Sequence, residues 1–213
     1  MFLKTSGFKR LLKEAYKGRG LHIGGTENTT ILAGSYWAIE VFSHEIPKEK
    51  LAAIIELFGR LPNPGERWLL TKDGAQSELD IYDDYRAMEN IRGLPVKTNY
   101  TRLLISTGGG TFRVLQAGNG RIDLIDETVR EMISQEEIQP GHGKLKGPFL
   151  NGREDRVFFS NDNMALQIFP TRPSPTGHSL ELFEYLEAFD LNGEDNGPDV
   201  PEEDSEEEEE EDA

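Results

Sequence analysis

The chain contains no cysteine, so disulfides, thiolate metal centres and cysteine nucleophiles are excluded outright. No run approaches the roughly 18 apolar residues that a membrane-spanning helix requires. The opening MFLKTSGFKRLLKEAY lacks the apolar core and small-residue cleavage site of a secretion signal. The four histidines, His22, His44, His142 and His178, are dispersed and show no metal-ligand spacing. These absences read as a cytoplasmic protein that makes no membrane contact and calls for no cofactor.

Bases are also missing from one end. From Gly193 to Ala213 there are thirteen acids and no Lys or Arg. The whole chain carries −16, but the remaining residues hold 26 acids against 23 bases, close to neutral at −3. The acidity is therefore local and culminates in Glu206, Glu207, Glu208, Glu209, Glu210, Glu211 and Asp212. So many like charges, with Val200 the one large apolar residue among them, cannot offset ordering entropy, and the reading is a folded body over 1–192 and a disordered acidic tail over 193–213.

What is present in the body points to an α+β fold with mainly antiparallel sheet and packed helices. Phe8, Leu11, Leu12, Ala15 and Tyr16 form one apolar stripe of a first helix, with Ser6 as its cap and Gly18 and Gly20 at its end. TTILAGSYWAIEVF reads as two strands with a bend at AGS, and alternation sends Trp37, Ile39 and Val41 to one face. A second helix follows Pro47, bearing Leu51, Ile54, Ile55 and Phe58 and ending at Gly59. ERWLLT is a strand closed by the Asp73-Gly74 turn. LDIYDDYRAMENIRGLP reads as a short helix capped by Asp80.

Three alternating runs, TRLLIST, GGGTFRVLQA and RIDLI, then join through a glycine turn and Asn119-Gly120, a strong hairpin signal. Asp126 caps a helix with Val129, Met132 and Ile133; DRVFFS and MALQIFP are strands; SLELFEYLEAF is a last helix. The order strand–strand–strand–helix–strand occurs at about 21–70 and again at about 101–169. It suggests two similar halves, about 1–78 and 79–192, by duplication or by coincidence of pattern.

Motifs for chemistry are sparse. The glycine clusters HIGGTENTT and STGGGT lead into strands rather than a helix, without the phosphate-loop G-x-x-x-x-G-K-[ST], so they read as hairpin turns. GHGKLKG places His142, Lys144 and Lys146 on a polar loop, and Ser35 lacks the G-x-S-x-G context of a nucleophile. Asp80, Asp83 and Asp84, with Glu78, form the densest carboxylate group in the body. Converging oxygens of that kind could hold catalytic metals, although acids also suit a helix's first turn. The first helix is the basic counterpart: Lys9, Lys13 and Lys17 stack at i, i+4, with Arg10 and Arg19 beside them.

Two resemblances follow from these stretches. GFKRLLKEAYKGRGLHIGG, continued by GSYWAIEVFSHEIPKEKLAAIIELFGRLP, resembles accessory proteins of phages and mobile elements. Members of that class bind and block host proteins, some by mimicking the charge of DNA. The strand-rich unit followed by IPKEKLAAII, with ALQIFPTR after a late strand, resembles a domain of a DNA sliding clamp. That likeness implies repeated units and basic helices facing DNA, although the chain has fewer elements than a complete clamp protomer. Neither resemblance assigns a role to a residue.

The leading expectation is a non-enzymatic binding protein with a protein partner, such as a basic nucleic-acid-binding protein, and an acidic tail as electrostatic arm. The alternative is a clamp-like DNA-associated protein using Lys9, Arg10, Lys13, Lys17 and Arg19. A third reading is a metal-dependent enzyme built on Asp80, Asp83 and Asp84.

Overall fold

The structure is a computed structural model that describes residues 1–77, 83–92, 95–151, 156–171 and 178–191. In chain order the elements are α1 (Thr5–Lys17), β1 (Leu21–Gly25), β2 (Thr29–Ala33), β3 (Trp37–Phe42), α2 (Lys48–Phe58), β4 (Arg67–Thr71), β5 (Gly74–Ser77) and α3 (Ala87–Asn90). There follow β6 (Pro95–Thr107), β7 (Gly110–Ala117), β8 (Ile122–Asp126), α4 (Glu127–Arg130), β9 (Lys146–Asn151), β10 (Val157–Ser160), β11 (Met164–Ile168) and α5 (His178–Glu187). The α+β class with mainly antiparallel sheet is as the sequence indicates. Among the described residues, no helix is long and apolar enough to cross a membrane.

All eleven strands join one sheet in the order β5-β4-β1-β2-β3-β11-β10-β9-β6-β7-β8. Every pairing is antiparallel, as hairpin connections require. The recurrence seen in the sequence has a topological counterpart. The neighbours β4-β1-β2-β3 repeat as β9-β6-β7-β8, and each third strand runs on toward a helix, α2 or α4. β5 extends the first set and β10 the second. β11 then lies between β10 and β3 and closes the sheet into a continuous surface.

One core serves both sets. Phe8, Leu11 and Leu12 of α1 and Ile54 of α2 pack with Ile39, Leu166, Phe159, Leu115 and Ile125 from strands across the sheet. Each fully buried side chain of this size contributes roughly 1.5–3 kcal/mol. Trp37, Ile39 and Val41 face this core, while Glu40 and Gln167 face the opposite side under α3. Glu40 is 1% exposed and accepts from Thr29 Oγ1, Arg86 Nε and the Met88 amide. β3 is thus covered on both faces. A smaller cluster, Val114, Ile122, Leu124 and Phe183, seats α5 on the outer face of β7 and β8.

Several local expectations need correction. The N-cap of α1 is Lys4, not Ser6, and no side chain caps it; the Lys4 amide instead donates to Met132 O at 2.8 Å. α4 stops after Arg130, because Met132 and Ser134 exchange backbone bonds with the first residues of the chain. Its Asp126 cap is present, accepting from the Thr128 amide. α2 ends at Gly59, which takes φ 86°. Ile55 is 42% exposed, and Lys50 takes a buried position on that helix instead. The expected Asp80 cap lies outside the described residues, as do Glu78 and the tail 193–213.

Candidate nucleic-acid interface

α1 owes its orientation to its apolar stripe. Gly7, Phe8, Leu11, Leu12 and Ala15 are buried, so the opposite side is fixed toward solvent. Gly7 permits this seat: a Cβ there would lie 2.3 Å from Met132 Cγ. At the far end the Gly18 amide donates to Glu14 O and Ala15 O, and Lys17 stands in the last turn where the helix dipole favours a cation. The first turn is the reverse. It contains no acid and follows a lysine, so the positive end of the dipole meets like charge there.

The outward side carries Lys9, Arg10, Lys13, Lys17 and, just past the helix, Arg19, all exposed. The structure therefore brings the five basic candidates together on one side. Among the described residues, none of Lys9, Lys13, Lys17 and Arg19 forms an ion pair. Arg10 donates to Thr128 O at 3.2 Å, which braces it against α4. Glu14, the acid within α1, accepts from the Tyr36 hydroxyl at 3.3 Å. Burial first, then the Glu14 charge and that hydrogen bond, push Tyr36 up to about 12.

A shallow cleft of about 280 Å³ opens at the start of the helix, lined by Lys4, Ser6, Gly7, Arg10, Glu131 and Met132. Sequence reasoning missed Lys4 as part of this surface, because it precedes the apolar periodicity. The row Lys9–Lys13–Lys17 spans about 12 Å at 1.5 Å per residue.

The other candidates are engaged elsewhere. The Asp84 carboxylate accepts from Arg156 at 2.7 Å, and its carbonyl accepts from Asn90 and Gln167 side chains. Asp80 and the Asp83 side chain lie outside the described residues. Among the described residues, no group of three His, Asp or Glu side chains could hold a metal ion. His44 and His142 both contact Glu45, at 3.3 and 3.1 Å, while His22 lies against the Tyr85 ring. Lys146, expected on a loop, is the first residue of β9 and stands 3.9 Å from Asp162.

No family model and no curated protein matches the chain. Among solved structures it is similar to the beta chain of DNA polymerase III from Streptococcus pneumoniae TIGR4. The similarity covers 84% of this chain and 66% of that one, at 8% identity and a TM-score of 0.30. The chain thus spans slightly less than two thirds of that protein.

Proposed function

We propose that the protein binds the phosphate backbone of double-stranded nucleic acid through the exposed side of α1, as a binding protein without catalytic chemistry. The supporting observation is the row Lys9, Lys13 and Lys17, without an ion pair among the described residues and flanked by Arg10 and Arg19, on a helix whose other side is anchored in the core. Contacts of this kind position a protein without reading base sequence. They release condensed counterions, so affinity falls steeply with salt. The acidic tail belongs to the same reading. It supplies a competing polyanion in the same molecule and thereby weakens duplex binding at low salt.

Anisotropy of a labelled duplex titrated with the full chain tests this reading. Binding should weaken steeply with salt and fall uniformly across duplex sequences when Lys9, Lys13 and Lys17 are replaced by alanine. Sequence-dependent losses, or none, would refute it.

A further inference from the structure

β6 parts from its neighbour β9 early in its length. Its register with β9 covers Pro95, Val96 and Lys97, whereas its register with β7 runs on to Thr107. A bulge marks the parting, where the register with β7 shifts between Tyr100 and Leu104. The bulge is satisfied from within. Thr101 Oγ1 donates to Val114 O at 2.9 Å, the Leu103 amide donates to Thr101 Oγ1 at 3.2 Å, and Arg113 donates to Thr101 O at 3.1 Å. Beyond it, among the described residues, no strand pairs the side of β6 turned away from β7. Along such an edge every second residue directs its amide and carbonyl outward, a template for an added strand. Leu103 and Leu104 on the same stretch are 39% and 49% exposed.

The strands around this edge are basic. In a chain of 39 acids, the sequence has no Asp or Glu from Asn90 to Ile122 or from Ile138 to Arg153, and β6, β7 and β9 lie wholly within those two stretches. Antiparallel pairing turns the start of β9 toward the bulge, so Lys144 and Lys146 stand at the same end of the pair as Arg102, all three exposed. Among the described residues Arg102 and Lys144 form no ion pair, and Lys146 has the 3.9 Å approach to the exposed Asp162. We propose that the open half of β6 takes an extended acidic segment of a partner protein as an added strand. Main-chain bonds to residues 102–107 hold the segment, its apolar side chains cover Leu103 and Leu104, and its carboxylates meet Arg102, Lys144 and Lys146.

Other occupants fit less well. Nucleic acid matches the charge, but it has no strand to pair with the edge and no apolar side chains for the two leucines. A second copy placing β6 against β6 would bring two basic surfaces together. The chain's own acidic run has Val200 as its one large apolar residue and so lacks the alternation that an added strand would use.

The test uses the full chain and a fluorescein-labelled synthetic peptide of strand length that alternates valine with glutamate. Three control peptides accompany it: one with lysine in place of glutamate, one of glutamate alone, and the valine–glutamate peptide N-methylated at every second amide. The unmodified valine–glutamate peptide should bind about tenfold more tightly than each control, the equivalent of one or two net hydrogen bonds. Arg102→Glu/Lys144→Glu/Lys146→Glu should reverse the preference between the glutamate and lysine peptides. In isotopically labelled wild-type protein, amide shifts should concentrate at 102–107 and 144–146, a readout that stands even if the variant folds poorly.

Absence of binding, or equal binding by the N-methylated or all-glutamate peptide, would overturn the proposal, because the edge would then add no strand. So would peptide-induced shifts centred on α1, which would reduce the interaction to non-specific charge. Self-association of the wild type through the same amides would assign the edge to a second copy and overturn it equally. Displacement of the peptide by an unlabelled duplex, with shifts at 102–107, would assign the edge to nucleic acid.

Discussion

Lys50 of α2 donates to the Glu137 carboxylate at 3.1 Å from a side chain that is only 3% exposed. The pair joins positions 87 residues apart and so ties α2 to the turn after α4. A buried ammonium is tolerated because a carboxylate offsets part of its desolvation. Glu137→Ala leaves Lys50 buried without that partner. We expect a loss of about 2–3 kcal/mol, below the ~3–5 kcal/mol of fully buried pairs because the Glu137 side chain is partly exposed. Lys50→Met/Glu137→Met should recover most of it, and urea unfolding of the two variants checks both outcomes.

The fit of α1 against Met132 gives a second expectation. Gly7→Ala places its Cβ within contact of both Met132 Cγ and Cβ, so the helix must shift or Met132 must leave its rotamer. Overpacking of this kind costs about 1–3 kcal/mol. The thermal midpoint of Gly7→Ala should fall, and adding Met132→Ala should restore part of the loss if the clash is the cause.

Neither of these two contacts was legible in the sequence, whereas local signals were. The α1 stripe, the Asp126 cap and the Asn119-Gly120 hairpin are local signals, and each appears in the structure. The burial of Lys50 was not legible, because its partner is distant in sequence and its own helix pattern assigns the buried stripe to Ile55 as well. The early stop of α4 was equally hidden: it arises from backbone bonds between residues 2–4 and 132–134, which no local pattern reports. The insertion of β11 between β3 and β10 is likewise a long-range pairing. For the candidate interface, the basic row was readable from i, i+4 spacing. That none of its lysines forms an ion pair among the described residues required the fold.

Acid sensitivity should be visible at the loop after α2. Glu66 accepts from Arg60 Nη2 at 2.8 Å and from the Asn63 amide at 2.7 Å. Its hydrogen bonds to Arg60, then to the Asn63 amide, hold its carboxyl down to about 2 from 4.5. A depressed carboxylate contributes stability that is present above the unfolded value and lost as pH falls through the folded one. That contribution should therefore decline from about pH 4.5 toward 2. Carboxyl NMR should give a Glu66 midpoint near 2, and Arg60→Ala should raise it. An ordinary midpoint in the wild type would contradict the pairing.

The acidic run should oppose nucleic-acid binding without supporting the fold. Replacing Glu206 to Glu211 with glutamine should leave the thermal midpoint nearly unchanged and tighten duplex binding several-fold at low salt. The difference should vanish at high salt, where attraction and competition are both screened. A large fall in thermal midpoint would give the run a structural role instead.

The proposed hold of α1 on phosphate backbone rests on its lysine row. The most direct measurement is duplex affinity across a salt series for the wild type, the glutamine-tail variant, and each combined with Lys9→Ala/Lys13→Ala/Lys17→Ala. If three phosphate contacts are lost, the slope of log affinity against log salt should become shallower by about 2.7, at about 0.9 per contact. Affinity should fall in parallel on unrelated duplexes. Unchanged slope and affinity after the triple substitution would contradict the account, as would failure of both lysine-bearing proteins to bind at low salt.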